Sequence, residues 1–137
     1  MGYIYCMPDS LSASKEDYLE SILDFSVSSG LVRSIDIARS LGVSRASVNK
    51  TLGVLKESGL VVHEHYGDVK LTERGIKLAR QVRARHNTLK LFLTEVLGVT
   101  PDTAEADACR MEHAISRETA TRFEEYLKTI LAPAISG

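Results

Sequence analysis

One stretch limits the possible fold more than any other. Ser34-Ile-Asp-Ile-Ala-Arg-Ser-Leu-Gly-Val-Ser44 reads as a short helix, a turn through Gly42 and Val43, and the cap of a second helix. Ala38 is small, as a close helix crossing requires. The second helix runs to about Ser58, with Val48, Leu52 and Leu55 on its inner face, and Gly59 stops it. Helix, short glycine turn, helix is the helix-turn-helix pattern. Two short strands follow, Leu60-Val-Val-His-Glu-His and Asp68-Val-Lys-Leu-Thr, with the turn at Tyr66-Gly67-Asp68. The alternation Val62/Glu64 and Val69/Leu71 predicts a β-hairpin. A hairpin directly after the second helix is a wing, so the sequence predicts a winged helix-turn-helix. Thr72 caps a long helix from Glu73 to about Leu97, and Thr72-Glu-Arg-Gly75 is a recurrent ending for such a hairpin.

The rest reads as helix. A first helix spans about Ser14 to Ser28, with Ser14 as cap and Asp17 in the first turn. Tyr18, Leu19, Ile22, Leu23 and Phe25 recur at helical spacing, and Gly30 ends the helix. Gly98 and Pro101 punctuate the chain before a helix from about Asp102 to His113 or Ala114. Ser116 caps a last helix, Arg117 to about Leu131, with Glu118 in its first turn; Pro133 and Gly137 close the chain. The fold class expected is mainly α: an N-terminal winged helix-turn-helix with a β-hairpin wing over residues 1–72, then an all-helical dimerisation domain over residues 73–137. A length of 137 residues suits one domain or two small halves. No apolar run approaches a membrane span, and the start lacks the basic and apolar regions of a signal peptide. Two cysteines make no disulfide framework, which suits a cytoplasmic protein. Cys6 takes no role.

Net charge is −1, which argues against a nucleic-acid partner only as an average. Between Leu31 and Arg85 stand eleven basic and five acidic residues, a balance of +6, and the remainder carries −7. A basic middle between acidic ends points to an anion-binding module joined to one that takes cations.

In a helix-turn-helix the second helix enters the major groove and its first turns reach base edges. The outward positions here are Arg45, Ala46, Ser47, Asn49 and Lys50, following the cap Ser44. Arg or Lys pairs with guanine and Asn with adenine, while Ala46 and Ser47 let the helix sit deep. Ser14 and Ser34, at helix starts, are placed to hold phosphates. His65, Tyr66 and Lys70 of the wing would lie on the backbone or minor groove. One copy makes too few contacts for tight binding, so a homodimer is expected on double-stranded DNA.

The acidic part holds Cys109-Arg-Met-Glu112-His113. At i, i+3 and i+4 these side chains share one helical face. Thiolate, carboxylate and imidazole form a transition-metal set. His86 on the long helix and Asp17 with Glu20 on the first are further donors. Since no single helix supplies a whole site, metal would draw helices together. Each residue also has a plainer role: core cysteine, surface pair, helix-dipole partner. His63 and His65 read as surface residues.

At this point the chain resembles the metal-dependent transcriptional repressors related to the diphtheria toxin repressor and the manganese transport regulator. Asp17-Tyr-Leu-Glu20, the helix-turn-helix at 34–57, Gly59-Leu-Val-Val, Leu71-Thr-Glu-Arg-Gly75, Arg85-His86 and Ala108-Cys-Arg-Met-Glu-His113 carry the resemblance, from about Ser14 to Leu131. It implies a short form without the SH3-like domain of longer members. It implies a regulatory metal site of Asp17, Glu20, His86, Cys109, Glu112 and His113. Asp17 and Glu20 match the manganese branch and Cys109 the iron branch. A thiolate favours softer ions, so Fe(II) is expected first, Mn(II) next, with Zn(II), Co(II) or Ni(II) binding in vitro. At the family's ancillary site stand His86, Lys90 and Glu105. Lys90 either supplies the charge of a second metal, paired with Glu105, or points to solvent.

The function implied is a metal-activated repressor of metal-homeostasis genes, dimeric on a palindromic operator. The alternative is a winged-helix regulator sensing redox state through Cys109. An enzyme is not expected, because no general acid–base pair accompanies a substrate pocket.

Overall fold

The computed structural model describes residues 12–63 and 68–136. The expected turn residues Tyr66 and Gly67, the wing residues Glu64 and His65, and Cys6 lie outside the described residues. The chain divides into two compact units, Leu11–Val82 and the part from Arg83 onward.

The first unit holds α1 (Ala13–Ser28), α2 (Ser34–Leu41), α3 (Arg45–Glu57), β1 (Val61–His63), β2 (Val69–Leu71) and the first half of α4 (Glu73–Leu91). The cap of α1 is Ser12 rather than Ser14. Ser12 is extended and its side chain accepts the Lys15 N–H at 3.3 Å, while its carbonyl takes the Glu16 N–H. Ser14 therefore sits inside the first turn, and Asp17 falls in the second turn, past the strongest dipole field. At α2 the Asp36 carboxylate accepts the Arg33 N–H at 3.2 Å, closing the helix start from inside, and Ser34 is the first helical residue. Gly42 takes the left-handed turn with φ 66° that a side chain would strain, and Val43 N–H returns to Ala38 O. Ser44 caps α3 through the Ser47 N–H at 3.1 Å. The helix-turn-helix is as the sequence predicts.

β1 and β2 pair antiparallel, with Val61 opposite Leu71 and His63 opposite Val69. The buried residue of β1 is Val61, and Val62 stands half exposed. The hairpin is as the sequence predicts, and Leu60 and Val61 are buried in succession where the chain enters it. The Val69 N–H also bonds to Val32 O at 2.8 Å, tying the hairpin to the segment before α2. Tyr18, Leu19, Ile22, Val32, Ile37, Val48, Leu52, Leu55, Leu60, Val61 and Val69 close one apolar core.

Each part of Thr72-Glu-Arg-Gly75 has a use at the base of the hairpin. Thr72 Oγ1 donates to Gly59 O at 2.6 Å and accepts the Gly75 N–H at 3.1 Å. Arg74 donates to Ser58 O at 3.0 Å, neutralising the C-terminal end of α3. Gly75 lies against the Leu60 carbonyl, where a Cβ would collide with backbone.

In the second unit, α4 ends at Leu91 and passes into a π-helical turn, Phe92–Val96, where the Leu97 N–H reaches Phe92 O. The predicted helix to Leu97 is thus α-helical only to Leu91. α5 (Pro101–Met111) follows Gly98, and α6 is Arg117–Ser136. Ser116 caps α6 through the Thr119 N–H at 3.1 Å. α6 runs past the predicted end at Leu131 because Pro133 stands near its end, where the one carbonyl it leaves unpaired costs little. α5 stops at Met111, with Glu112 as its C-cap. His113 therefore stands just beyond the C-cap, in the turn that follows α5. Leu89, Leu93, Ala104 and Ala108 form a small core. Among the described residues no helix is long and apolar enough to cross a membrane.

Candidate metal centre and nucleic-acid interface

The exposed face of α3 follows from its apolar stripe. With Val48, Leu52 and Leu55 turned inward, Ser44, Arg45, Ala46, Ser47, Asn49 and Lys50 are all exposed. This face presents two cations, an amide and two hydroxyls. No acidic residue lies among them. Ser14 is exposed and Ser34 half-buried at the starts of their helices. Gly53 shares the exposed face, and nothing lies within 4 Å of where its Cβ would stand, so packing gives no reason for a glycine there.

The second unit carries a polar cluster at the junction of α4 and α5. His86 and Glu112 are 4% and 1% exposed, an unusual depth for two titratable groups beside so small a core. His86 Nδ1 stands 3.4 Å from Glu112 Oε1, and His113 Nε2 stands 3.7 Å from the same oxygen. On its other side His86 Nε2 is 2.9 Å from Glu105 Oε2. Lys90 Nζ meets the second oxygen of Glu105 at 3.0 Å. Lys90 pairs with Glu105 rather than standing clear of it. The Lys90 bond first, and then the His86 bond, hold the Glu105 carboxyl below its ordinary 4.5.

Position in the cluster follows from the chain. His86 and Lys90 are i, i+4 on α4, and Glu105 and Glu112 are i, i+7 on α5, so each pair shares a stripe. Arg85 Nε donates to the Glu112 backbone carbonyl at 3.1 Å, fastening the end of α5 to α4. The sequence reading gave Arg85 no role of its own. A basic residue next to a proposed ligand, matched to a helix C-terminus elsewhere in the chain, was the available signal.

The residues fit a metal ion. The separations of 3.4 and 3.7 Å exceed a normal N–H···O bond. Two nitrogen or oxygen donors about 2.1 Å from one ion, at angles of about 105–120°, stand about 3.3–3.6 Å apart. His86 Nδ1 stands at that distance from Glu112 Oε1 and His113 Nε2 slightly farther from the same oxygen, and the Glu105 carboxylate behind His86 is the usual outer partner of a ligating imidazole. Cys109, on the same stripe of α5 as Glu105 and Glu112, is exposed. Asp17 is half-buried and Glu20 buried, both on α1 in the other unit.

A helix-turn-helix with a wing and a helical unit with a buried imidazole–carboxylate cluster together define a ligand-responsive DNA-binding regulator. The sequence comparisons agree. Residues 10–69 match the iron dependent repressor N-terminal DNA binding domain, and residues 72–131 match its metal binding and dimerisation domain. An HTH-type transcriptional regulator of Methanocaldococcus jannaschii is 34% identical over 119 residues, 86% of this chain and 95% of that protein. The transcriptional regulator MntR of Salmonella typhimurium is 42% identical over 108 residues, 79% of this chain and 68% of that protein. Among solved structures, a manganese-dependent transcriptional repressor complexed with manganese superposes with a TM-score of 0.76 at 32% identity, over 82% of this chain and 52% of that one. IdeR of T. acidophilum superposes with a TM-score of 0.73 at 27% identity, over 86% of this chain and 55% of that one. The chain thus spans about half the length of these two solved relatives. The chain belongs to the iron-dependent repressor family of metal-dependent transcriptional regulators. It is not an enzyme.

Proposed function

We propose that this chain is a repressor of metal-homeostasis genes, activated by Fe(II) or Mn(II), that binds a palindromic operator as a homodimer. The observation that carries the reading is the approach of two imidazole nitrogens, His86 Nδ1 and His113 Nε2, to one oxygen of the buried Glu112. His86, Glu112 and His113 hold the ion. Asp17, Glu20 and Cys109 complete the ligand set by the resemblance stated above. When bound, the ion supplies positive charge to buried carboxylates and a fixed geometry to donors from separate helices. Imidazole and carboxylate suit both Mn(II) and Fe(II), and the Cys109 thiolate tips the choice toward Fe(II).

On the DNA side, Arg45, Asn49 and Lys50 read base edges while Ala46 and Ser47 allow close approach. Ser14, Ser34 and Ser44 hold phosphates at helix starts. Metal acts on the equilibrium among dimer geometries: one geometry spaces two α3 helices for the operator, and the ion favours it.

Fluorescence anisotropy of operator DNA with Fe(II), with Mn(II) and with chelator tests the reading. Either ion raises affinity and chelator reverses it; His86→Ala abolishes the response while leaving the helical spectrum unchanged. Binding indifferent to metal and chelator sinks the proposal, and binding lost on oxidation instead supports the redox role of Cys109.

A further inference from the structure

Glu105 bridges His86 and Lys90 and serves each with a separate oxygen. Oε2 takes the His86 Nε2 proton at 2.9 Å, and Oε1 takes the Lys90 ammonium at 3.0 Å. A carboxylate accepts hydrogen bonds and donates none, so the imidazole nitrogen facing it must carry the proton. In the neutral ring the other nitrogen, Nδ1, then keeps its lone pair. Nδ1 is the nitrogen that faces Glu112 Oε1 at 3.4 Å. The ring is deeply buried on a rigid stretch of α4 and cannot turn out.

We propose that Lys90 and Glu105 are positioning residues: they fix His86 as its Nε2–H tautomer and so present Nδ1, rather than Nε2, to the ion. Lys90 anchors the carboxylate by its free oxygen. With an ammonium there, Glu105 is held as the partner of His86 and is occupied against taking a second divalent ion. The inference rests on the metal-centre reading for its use, but the tautomer stands in the metal-free protein and can be tested there.

The experiment is two-bond 1H–15N NMR of the metal-free full chain at about pH 8, where an ordinary imidazole is neutral. A Mn(II) titration read by the EPR signal of free Mn(II) accompanies it. In the wild type His86 shows Nε2 protonated and Nδ1 bare. Glu105→Ala turns this into a mixture of tautomers and weakens Mn(II) binding about 10–100-fold. Lys90→Met weakens it about 3–10-fold, and Lys90→Arg, which restores a cation, recovers most of the loss. Glu105 and Lys90 are on the surface, so all three variants keep the fold, which circular dichroism verifies. A His86 protonated at Nδ1 in the wild type overturns the proposal. So does a Glu105→Ala protein with unchanged tautomer and affinity. If the tautomer is as stated and yet added Mn(II) leaves the His86 signals sharp, the positioning stands and the metal reading fails.

Discussion

The two units are built on opposite principles. The first closes a core of apolar side chains from every one of its elements, including Leu19, Ile37, Leu52, Leu55 and Val69. The second gathers a cluster of four buried apolar residues, two of them alanines, with Leu127 buried as well, beside a buried histidine and a buried glutamate. Apolar burial holds a fold whatever the solution contains. Buried carboxylates and imidazoles hold it only when charge and hydrogen bonds balance. The first unit also buries Glu16 and Glu20 on α1, yet its apolar core is much the larger; the second, with a smaller core, leans more on the charge balance of its polar cluster. A sensor needs that difference, because a ligand shifts an equilibrium only where its binding changes the energy of one state.

The sharpest way to break the comparison is to damage the first core. Leu52→Ala should cost about 2–5 kcal/mol and melt the DNA-binding unit in urea, with or without metal. A Leu52→Ala protein rescued by Mn(II) would mean that the units are not independent in this sense. Next, saturating metal should raise the melting of the second unit by about 2.7 kcal/mol at a concentration 100 times the dissociation constant. Differential scanning calorimetry with reporters in each unit should show the second transition raised, and the first raised as well where Asp17 and Glu20 share the ion.

Gly53→Ala should sharpen the contrast between stability and recognition. Alanine in a helix interior is favoured over glycine by about 0.5–1 kcal/mol, and the Cβ meets nothing within 4 Å. The variant should be more stable to heat and yet bind operator more weakly, as a glycine kept for the close approach of DNA predicts. Equal or tighter binding would remove Gly53 from the interface. The smallest effect concerns acid. Glu105 has a depressed folded-state value, so its contribution is whole above its ordinary 4.5 and disappears as pH falls through the lower folded value. Lys90→Met should flatten that acid limb in pH-dependent melts of the second unit, with little change near neutrality.

The first unit was more legible in the sequence than the second. Gly42, Ser44 and the stripe of Val48, Leu52 and Leu55 are local signals, and local signals determined those elements. Which face of the first strand is buried was not legible, because Leu60 and Val61 are buried in succession and leave no alternation to read. Ser14 failed as a cap because Ser12 offers the same chemistry two residues earlier. In the proposed metal centre, residue types and spacing singled out His86, Glu112 and His113 as candidates. They could not show that α5 ends at Met111 and leaves His113 in the turn beyond. The pairing of Lys90 with Glu105 joins residues fifteen apart on different helices, and no spacing rule distinguishes that from a lysine in water.

The clasp of Thr72, Arg74 and Gly75 on Gly59, Ser58 and Leu60 has one more consequence. It closes the hairpin at its base, with contacts that run mostly through backbone atoms. The partners it takes at Ser58 and Gly59 are backbone carbonyls, which every residue carries, so the clasp depends on the side chains of Thr72 and Arg74 and not on the side chain of Ser58.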